Sequence, residues 1–346
     1  MPVKALLIAV LMALGTLTQA QGFAGLGTDA DGFATPQRGT DLQFPRDHGP
    51  HPDFRIEWWY LTATLTGEDG VDYGIQWTLF RSALAPTEAE GWQSPQVWMG
   101  HAGLTTPTQH YFAERLARGG IGQAGVTAHP FDAWIDDWQM AGDDLSDLRL
   151  VARGDVFSYD LRMQADGALI RHGDNGYSVK SEAGQASYYY SQPAYQIDGV
   201  LHLPDGPVRV TGDGWLDREW SSQPLAEDQT GWDWFSLSFD DGERLMGFIL
   251  RGAQGDFTSG TWIAADGTAT ALPHGAFQAD PLGTTEVAGR QVPTRWRVYV
   301  PERGLDAQVM ALNPNSWMGT AFAYWEGPVS VTGSHTGRGY LEMTGY

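Results

Sequence analysis

The fold is decided by two neighbouring runs of aromatic and β-branched residues, E-W-W-Y-L-T-A-T-L at 57–65 and Y-G-I-Q-W-T-L-F-R at 73–81. Residues of these types favour β-strands. The pair Asp69-Gly70 lies between the two runs, and such a pair supplies the positive φ angle that a tight turn requires. The stretch therefore predicts a β-hairpin.

A similar hairpin is predicted in the second half, where residues 232–239 and 244–251 flank Asp241-Gly242. Each hairpin opens with an acid before aromatic residues and closes with two apolar residues and an arginine. This favours two similar domains, with chance similarity as the alternative. Regularly spaced turn signals are typical of sandwiches and barrels, and a barrel of lipocalin size can hold a small apolar ligand. We expect an all-β protein with two tandem lipocalin-like β-barrel or sandwich domains, at 41–220 and 221–346.

The N-terminus has the pattern of an export signal. Lys4 precedes an apolar run at 5–15 that is too short to cross a bilayer, and T-Q-A follows at 18–20. We expect a signal peptide at 1–20, cleaved after Ala20, with an uncleaved anchor as the alternative. Residues 21–40 are rich in Gly, Asp, Thr and Ala and predict a flexible leader. The expected location is therefore the periplasm or the cell exterior.

Composition excludes several classes of function. Lys and Arg number 21 against 42 Asp and Glu, which gives a formal charge of -21 and argues against nucleic acid and anionic membrane surfaces as partners. The chain has no cysteine, so disulfides, thiolate metal sites and a lipoprotein anchor are excluded. It also lacks the G-x-S-x-G and P-loop patterns of serine hydrolases and nucleotide-binding proteins.

The segment before the first strand carries two imidazoles, and D-H-G-P-H-P at 47–52 cannot be helical because prolines and a glycine interrupt it. His48, His51 and Glu57 leave three interpretations open: metal ligands, a general acid or base, or imidazoles that cap backbone groups. The loop lacks the H-E-x-x-H pattern of zinc enzymes. We expect no metal.

Strand alternation assigns faces to the residues that follow. Glu57 and Trp59 are predicted to share one face, and Trp58 and Tyr60 the other. A buried Glu57 needs a partner, and Arg81 on the same hairpin could be that partner. The alternatives are a functional carboxylate and a purely structural ion pair.

A second cluster of acids and aromatic residues reads W-L-D-R-E-W at 215–220. In an extended strand Asp217 and Glu219 share a face, so one of these like charges could hold a proton near neutrality. A protonated carboxylic acid in an aromatic pocket is what protonation of an alkene needs. The alternative is an aromatic core with acids at the surface.

A third cluster, W-D-W at 232–234, follows shortly afterwards. The faces of Trp232 and Trp234 could surround a carbocation, since aromatic rings stabilise positive charge. Asp233 lies between them. Together the three clusters predict a site for a hydrophobic ligand.

The sequence resembles the lipocalin-like hydratase family, which includes carotenoid 1,2-hydratases and the AttH-like secreted proteins. Its signature D-H-G-x-H-x-x-x-x-x-E-W-W-Y is matched at 47–60. Further matches are Q-W-T-L-F-R at 76–81, H-A-G-L-T at 101–105, F-A-E-R at 112–115, W-L-D-R-E-W at 215–220, G-W-D-W-F-S-L at 231–237, Y-W-E-G at 324–327 and G-Y-L-E-M-T-G-Y at 339–346.

The resemblance implies two lipocalin-like domains and a hydrophobic, often isoprenoid, ligand. In the hydratase branch, water adds to a terminal C=C through proton donation and a tertiary carbocation, with no cofactor. This chain departs from that branch, because it reads W-L-D-R-E at 215–219 where carotenoid hydratases read roughly Y-L-D-S-N. Its export signal suits the AttH-like branch.

Two functions follow as hypotheses. The first is a cofactor-free hydratase or hydrolase-like enzyme acting on an apolar small molecule, with candidate catalytic residues Asp217, Glu219, Asp233, His51 and Glu57. Asp217 or Glu219 would donate the proton, and Asp233 or His51 would orient water. The second is a non-catalytic periplasmic carrier that works with an ABC-type membrane transporter. Candidate ligand-binding residues are Trp58, Trp59, Tyr60, Gln76, Arg81, His101, Trp220, Trp232, Trp234 and Tyr324.

Overall fold

The structure is a computed structural model that describes residues 30–87, 89–223, 225–226 and 228–346. The expected signal peptide and residues 21–29 of the expected leader lie outside the described residues. The described end of the leader is tied to the first domain, because the Ala34 amide donates to the Asp53 carbonyl at 2.9 Å and the Gln37 amide donates to the Tyr188 hydroxyl at 2.8 Å.

The regular structure of the described chain is almost entirely β-strand, as the aromatic and β-branched runs and the turn signals predict. The strands are β1 (Ile56–Gly67), β2 (Asp72–Ala83), β3 (Gln96–Thr105), β4 (His110–Arg118), β5 (Ala124–Ala128), β6 (Phe131–Ile135), β7 (Trp138–Gly142), β8 (Asp147–Arg153), β9 (Ser158–Ala165), β10 (Ile170–Arg171), β11 (Tyr177–Val179), β12 (Ala186–Leu203), β13 (Gly206–Ser221), β14 (Gln229–Phe239), β15 (Arg244–Gly252), β16 (Phe257–Ile263), β17 (Ala269–Leu272), β18 (Gln278–Val287), β19 (Arg290–Val300), β20 (Leu305–Ala311), β21 (Trp317–Met318), β22 (Tyr324–Gly333) and β23 (Gly337–Met343). The described helices are short 3-10 turns at Arg46–His48, Gly91–Gln93 and Pro301–Arg303. None of the described helices has the length and apolarity needed to cross a bilayer.

The strands form two antiparallel sheets that curl into barrel-like domains, which confirms the predicted fold class. The first sheet has the order β4-β3-β2-β1-β13-β12-β9-β8-β7-β6-β5, with β10 and β11 on β12. The second has the order β17-β16-β15-β14-β23-β22-β20-β19-β18, with β21 on β22. Both predicted hairpins are present, as β1–β2 and β14–β15.

Each sheet buries its own apolar core, and a third apolar cluster joins the two domains. This third cluster contains Tyr60, Tyr189 and Trp215 from the first sheet and Trp234 and Phe248 from the second. All five side chains are almost fully buried. Because burial of a large apolar side chain is worth about 1.5–3 kcal/mol, this cluster holds the domains together.

The register of the first sheet sets two parallel rows of side chains across β13, β1, β2, β3 and β4. The polar row comprises Asp217, Tyr60, Thr78, His101 and Glu114, each paired with the next across neighbouring strands. The apolar row lies two residues along each strand, on the same face, and comprises Trp58, Phe80, Met99 and Leu116. At a strand spacing of about 4.8 Å, the polar row of five strands is roughly 19 Å long and the apolar row of four strands, β1 to β4, is roughly 14 Å long.

Candidate active site

A cavity of about 590 Å³ lies between the two domains. Its floor is the apolar row of the first sheet, and its roof comes from the second domain, from Trp232 and Trp234 of β14 and Phe248 and Leu250 of β15. Most of its wall is apolar or aromatic. Such a space suits a drug-sized hydrophobic molecule.

Asp217 on β13 is a fully buried carboxyl group in the cavity wall. It accepts hydrogen bonds from the Ser191 hydroxyl, from the Tyr189 hydroxyl at 2.6 Å and from Trp215 Nε1 at 2.6 Å. Burial nevertheless outweighs these donors and raises the pKa of Asp217 to about 7. This carboxyl therefore carries a proton for much of the time at neutral pH.

Glu342 on β23 brings a second, half-buried carboxyl group to the same cavity from the other domain. Trp232 Nε1 donates to Glu342 Oε1 at 2.5 Å, and the Tyr60 hydroxyl also hydrogen-bonds this group. Burial raises the pKa of Glu342 to about 7, and the charge of Asp217 adds to the rise. Sequence reasoning missed Glu342. The only available signal was its place in the closing motif, two residues from Tyr340 on the same face of a strand.

Glu219 shares the cavity face with Asp217, as strand alternation predicts. It is not an isolated charge, because Lys180 Nζ lies 2.7 Å from Glu219 Oε1 and the Ser187 hydroxyl donates to the same oxygen. Lys180 Nζ also lies 4.8 Å from the ring centroid of Tyr189 and 4.2 Å from that of Phe248. Lys180 and Glu219 thus form an ion pair without net charge in the cavity wall, and cation–π contacts of Lys180 with the two rings stabilise it.

Trp58 and Tyr60 line the cavity, whereas Glu57 and Trp59 point to the other face of β1. The predicted partner is present, since Arg81 Nε donates to Glu57 Oε1. Arg218 Nη2 also donates to Glu57 Oε2 at 3.1 Å. Burial opposes ionisation of Glu57, but the two arginines hold its pKa below its usual value. Glu57 therefore forms a buried ion-pair network with Arg81 and Arg218 in the first domain, and its role there is structural.

His51 belongs to the same network as Glu57. His51 Nδ1 lies 3.0 Å from Glu57 Oε2, and its ring stacks on Trp220 with the centroids 4.0 Å apart. His48 Nδ1 lies 2.7 Å from the Tyr190 hydroxyl, and burial lowers the pKa of His48 to about 4. These contacts place both imidazoles away from the cavity.

Asp233 also differs from its expected position, because alternation along β14 turns it away from the face that carries Trp232 and Trp234. Arg251 Nη1 lies 2.5 Å from Asp233 Oδ1, and the Tyr346 hydroxyl donates to the same atom at 3.0 Å. Burial raises the pKa of Asp233 against the opposing effect of Arg251. Its contacts are those of a structural ion pair.

The structure thus sorts the predicted site residues into two groups. Those that line the cavity are Asp217, Glu219, Trp58, Tyr60, Arg81, Trp232, Trp234 and Tyr324. Those outside the cavity lining of the described chain are Asp233, His51, Glu57, Trp59, Gln76, His101 and Trp220. Glu57, Trp59, Trp220 and Asp233 lie outside the cavity because their side chains are on the strand face opposite to it. His51 lies in the loop before β1, outside any strand.

Gln76 and His101 instead lie at the domain interface beside the cavity. The Tyr324 hydroxyl lies 2.9 Å from His101 Nδ1 and 3.4 Å from Gln76 Nε2. Tyr324 therefore inserts from the second domain into the polar face of the first.

A group with metal-ligand spacing occurs elsewhere in the described chain, at Asp241, Glu243 and His335. Trp262 Nε1 already donates to Glu243 Oε1 at 3.1 Å, and His335 packs on Phe239 with the ring centroids 5.1 Å apart. These contacts give Glu243 and His335 structural roles that need no metal ion.

The fold and the cavity define a class of two-domain, barrel-like β-proteins with an acid-lined apolar space between the domains. The chain belongs to the AttH-like family, whose model matches residues 35–346. An AttH of Nitrosomonas europaea has a similar crystal structure, with 32% sequence identity, a TM-score of 0.83, and coverage of 91% of this chain and 99% of that chain.

Kievitone hydratase of Nectria haematococca has the same fold at 15% identity, with a TM-score of 0.70 over 90% of this chain and 98% of that chain. No curated protein matches the sequence.

Proposed function

We propose that this protein is a cofactor-free hydratase that adds water to a C=C bond of a small isoprenoid-like molecule in the cavity between its domains. One observation carries the proposal. The buried Asp217 and the half-buried Glu342, one from each domain, are carboxyls in an apolar wall, and both have a pKa raised to about 7. Two coupled acids of this kind can share one proton, so that one acts as acid while the other acts as base.

The chemistry needs only these two groups and water. The Asp217 carboxyl gives its proton to the less substituted alkene carbon, the π electrons form the new C–H bond, and a tertiary carbocation remains. A water oxygen then bonds to the cation and passes one of its protons to the Glu342 carboxylate. The product is a tertiary alcohol, Asp217 is left ionised and Glu342 protonated, so atoms and charge balance.

The aromatic wall supports the cationic intermediate. The indoles of Trp58, Trp232 and Trp234 and the ring of Tyr60 line the cavity around the two acids. Ring faces attract a cation most strongly where water is excluded. The same wall binds the apolar tail of the substrate.

Several observations support an enzyme over a carrier. No arginine or lysine of the described chain forms an ion pair with Asp217 or Glu342, whereas Glu57 and Asp233 are paired with arginines. Charges meant only for structure are normally neutralised in this way. The name of kievitone hydratase, which shares the fold, is consistent with hydration chemistry. We also propose export to the periplasm or beyond, on the strength of the N-terminal sequence.

The test is incubation of the purified protein with acyclic terpenoids, followed by mass spectrometry for the gain of one water. Product is expected with wild type and none with Asp217→Asn. Asp213→Asn is the matched control, because Asp213 is exposed on the same strand and face. Binding of the terpenoid without product in wild type would instead identify a carrier, which would then be tested against an ABC-type transporter.

A further inference from the structure

The polar row contains more titratable groups than the proposed chemistry uses. It continues beyond the cavity from Tyr60 through His101 to Glu114 at β4, the edge strand of the sheet. Glu326 and Tyr324 of β22 lie against it from the second domain. Buried ionisable groups are costly, so a series of them that extends from the cavity to the edge strand calls for an explanation.

The first part of this path starts in the cavity wall, at Glu342 and Tyr60, and leads to Glu326 outside the cavity lining. The Tyr60 hydroxyl hydrogen-bonds the Glu342 carboxyl and donates to Glu326 Oε1. Glu326 is fully buried, and burial together with the charge of Glu342 raises its pKa well above the usual range. Its second oxygen, Oε2, has no hydrogen-bond partner in the described chain. Glu326 is therefore a neutral acid, whose Oε1 accepts from Tyr60 and whose own proton is held on Oε2.

The second part reaches the surface. The Tyr324 hydroxyl hydrogen-bonds the Glu326 carboxyl and lies 2.9 Å from His101 Nδ1. His101 Nε2 lies 3.2 Å from Glu114 Oε1, and the Glu114 side chain is 24% exposed. Because Nε2 faces a carboxylate, it carries the imidazole proton. Nδ1 then accepts from the Tyr324 hydroxyl. Each group therefore donates to the next one, from Tyr324 through His101 to Glu114.

We propose that Glu342, Tyr60, Glu326, Tyr324, His101 and Glu114 form a proton-conducting path between the cavity and solvent. A proton leaves the Glu342 carboxyl for the Tyr60 oxygen as Tyr60 passes its own proton to Glu326 Oε1. Glu326 gives up the proton that it held on Oε2 to the Tyr324 oxygen, after a rotation of the carboxyl group that brings Oε2 to Tyr324. Tyr324 passes its own proton to His101 Nδ1, His101 gives its Nε2 proton to Glu114, and Glu114 releases it to water. The net result is one proton moved from Glu342 to solvent, with Glu342 left as a carboxylate and every intermediate group unchanged. The reverse sequence returns a proton to Glu342.

The purpose of the path rests on the proposed function. An apolar ligand that fills the cavity also blocks solvent from Glu342, yet each turnover leaves a proton there. The path removes that proton while the cavity is occupied, and Asp217 regains its own from water that enters as product leaves. Once an active substrate is known, Glu114→Gln is expected to lower kcat while KM stays unchanged.

The test follows exchange of the Glu326 carboxyl proton and needs no turnover. Purified full-length protein, with its cavity filled by a saturated terpenoid hydrocarbon that has no C=C to hydrate and that keeps solvent from Glu342, is mixed into D2O, and the C=O infrared band of Glu326 is followed in time. The band is assigned by its loss in Glu326→Gln. In wild type, exchange should precede that of the backbone amides of β1 and β2. Glu286→Gln, an exposed change on β18, should exchange like wild type.

Glu114→Gln keeps the hydrogen bonds but cannot relay a proton, and should slow exchange by roughly tenfold or more. Tyr324→Phe should slow it further, towards the rate of the amides, and serves as a second break should one substitution perturb folding. Equal exchange rates in wild type and both variants would overturn the path, as would wild-type exchange no faster than that of the amides. Absence of hydratase activity would overturn the proposed function alone and leave this result standing.

Discussion

Replacement of Asp217 by Asn should change how stability depends on pH, because the wild-type carboxyl resists ionisation in the folded state. Folding raises the pKa of Asp217 from 3.8 to about 7. Between these values the folded state binds a proton that the unfolded state has lost. Wild type should therefore lose stability as pH rises through this window.

The magnitude follows from the size of the shift. One pKa unit corresponds to about 1.4 kcal/mol, so the rise in the pKa of Asp217 is worth about 4 kcal/mol over the whole window. The amide side chain of the Asp217→Asn variant cannot ionise and has nearly the same shape as the carboxyl group. The free energy of unfolding of Asp217→Asn minus that of wild type should thus increase by about this amount between pH 4 and pH 8.

The assay is urea unfolding followed by tryptophan fluorescence at several pH values, with Asp213→Asn as the exposed control. The difference between each variant and wild type removes the contribution of all other groups that titrate independently. The reasoning would be refuted if the free energy of unfolding of Asp217→Asn minus that of wild type stayed constant from pH 4 to pH 8, or if it decreased as pH rises.

Three further predictions test other parts of the molecule. Glu57→Gln should lower the free energy of unfolding by about 3–5 kcal/mol in urea titrations, because Arg81 and Arg218 lose their buried counter-charge. An effect no larger than that of the exposed Glu286→Gln would contradict this prediction. Met99→Trp should abolish terpenoid binding in fluorescence titrations, because the larger side chain fills the middle of the apolar row. The exposed Met310→Trp should leave binding intact. Equal affinities of the two variants for the terpenoid would place the ligand elsewhere. Trp232→Phe removes the N–H that stabilises ionised Glu342 and should raise its pKa by roughly one unit in a carbon NMR titration, whereas exposed Trp92→Phe should not.

Much of the fold follows from local sequence. Asp69-Gly70 and Asp241-Gly242 mark the two hairpins, and alternation separates Glu57 and Trp59 from Trp58 and Tyr60. These features depend on neighbours within a strand or across one turn, which periodicity and turn chemistry can reveal.

The site was harder to predict because it depends on long-range pairing. Glu342 reaches the cavity only because β23 pairs with β14 and both lie over the first sheet. The reason for the high pKa of Asp217 also differs from expectation. Repulsion by Glu219 is a minor effect, since burial dominates and Lys180 balances Glu219. No pattern in the sequence shows which strands of two domains face each other.

The central claim is that the cavity holds two carboxyls that titrate near neutrality. Carbon NMR of protein labelled at the Asp and Glu carboxyls, with Asp217 and Glu342 assigned by Asp217→Asn and Glu342→Gln, measures this directly. Both resonances are expected to titrate with midpoints near pH 7. Midpoints at the ordinary values for Asp and Glu, about 4, would contradict the account.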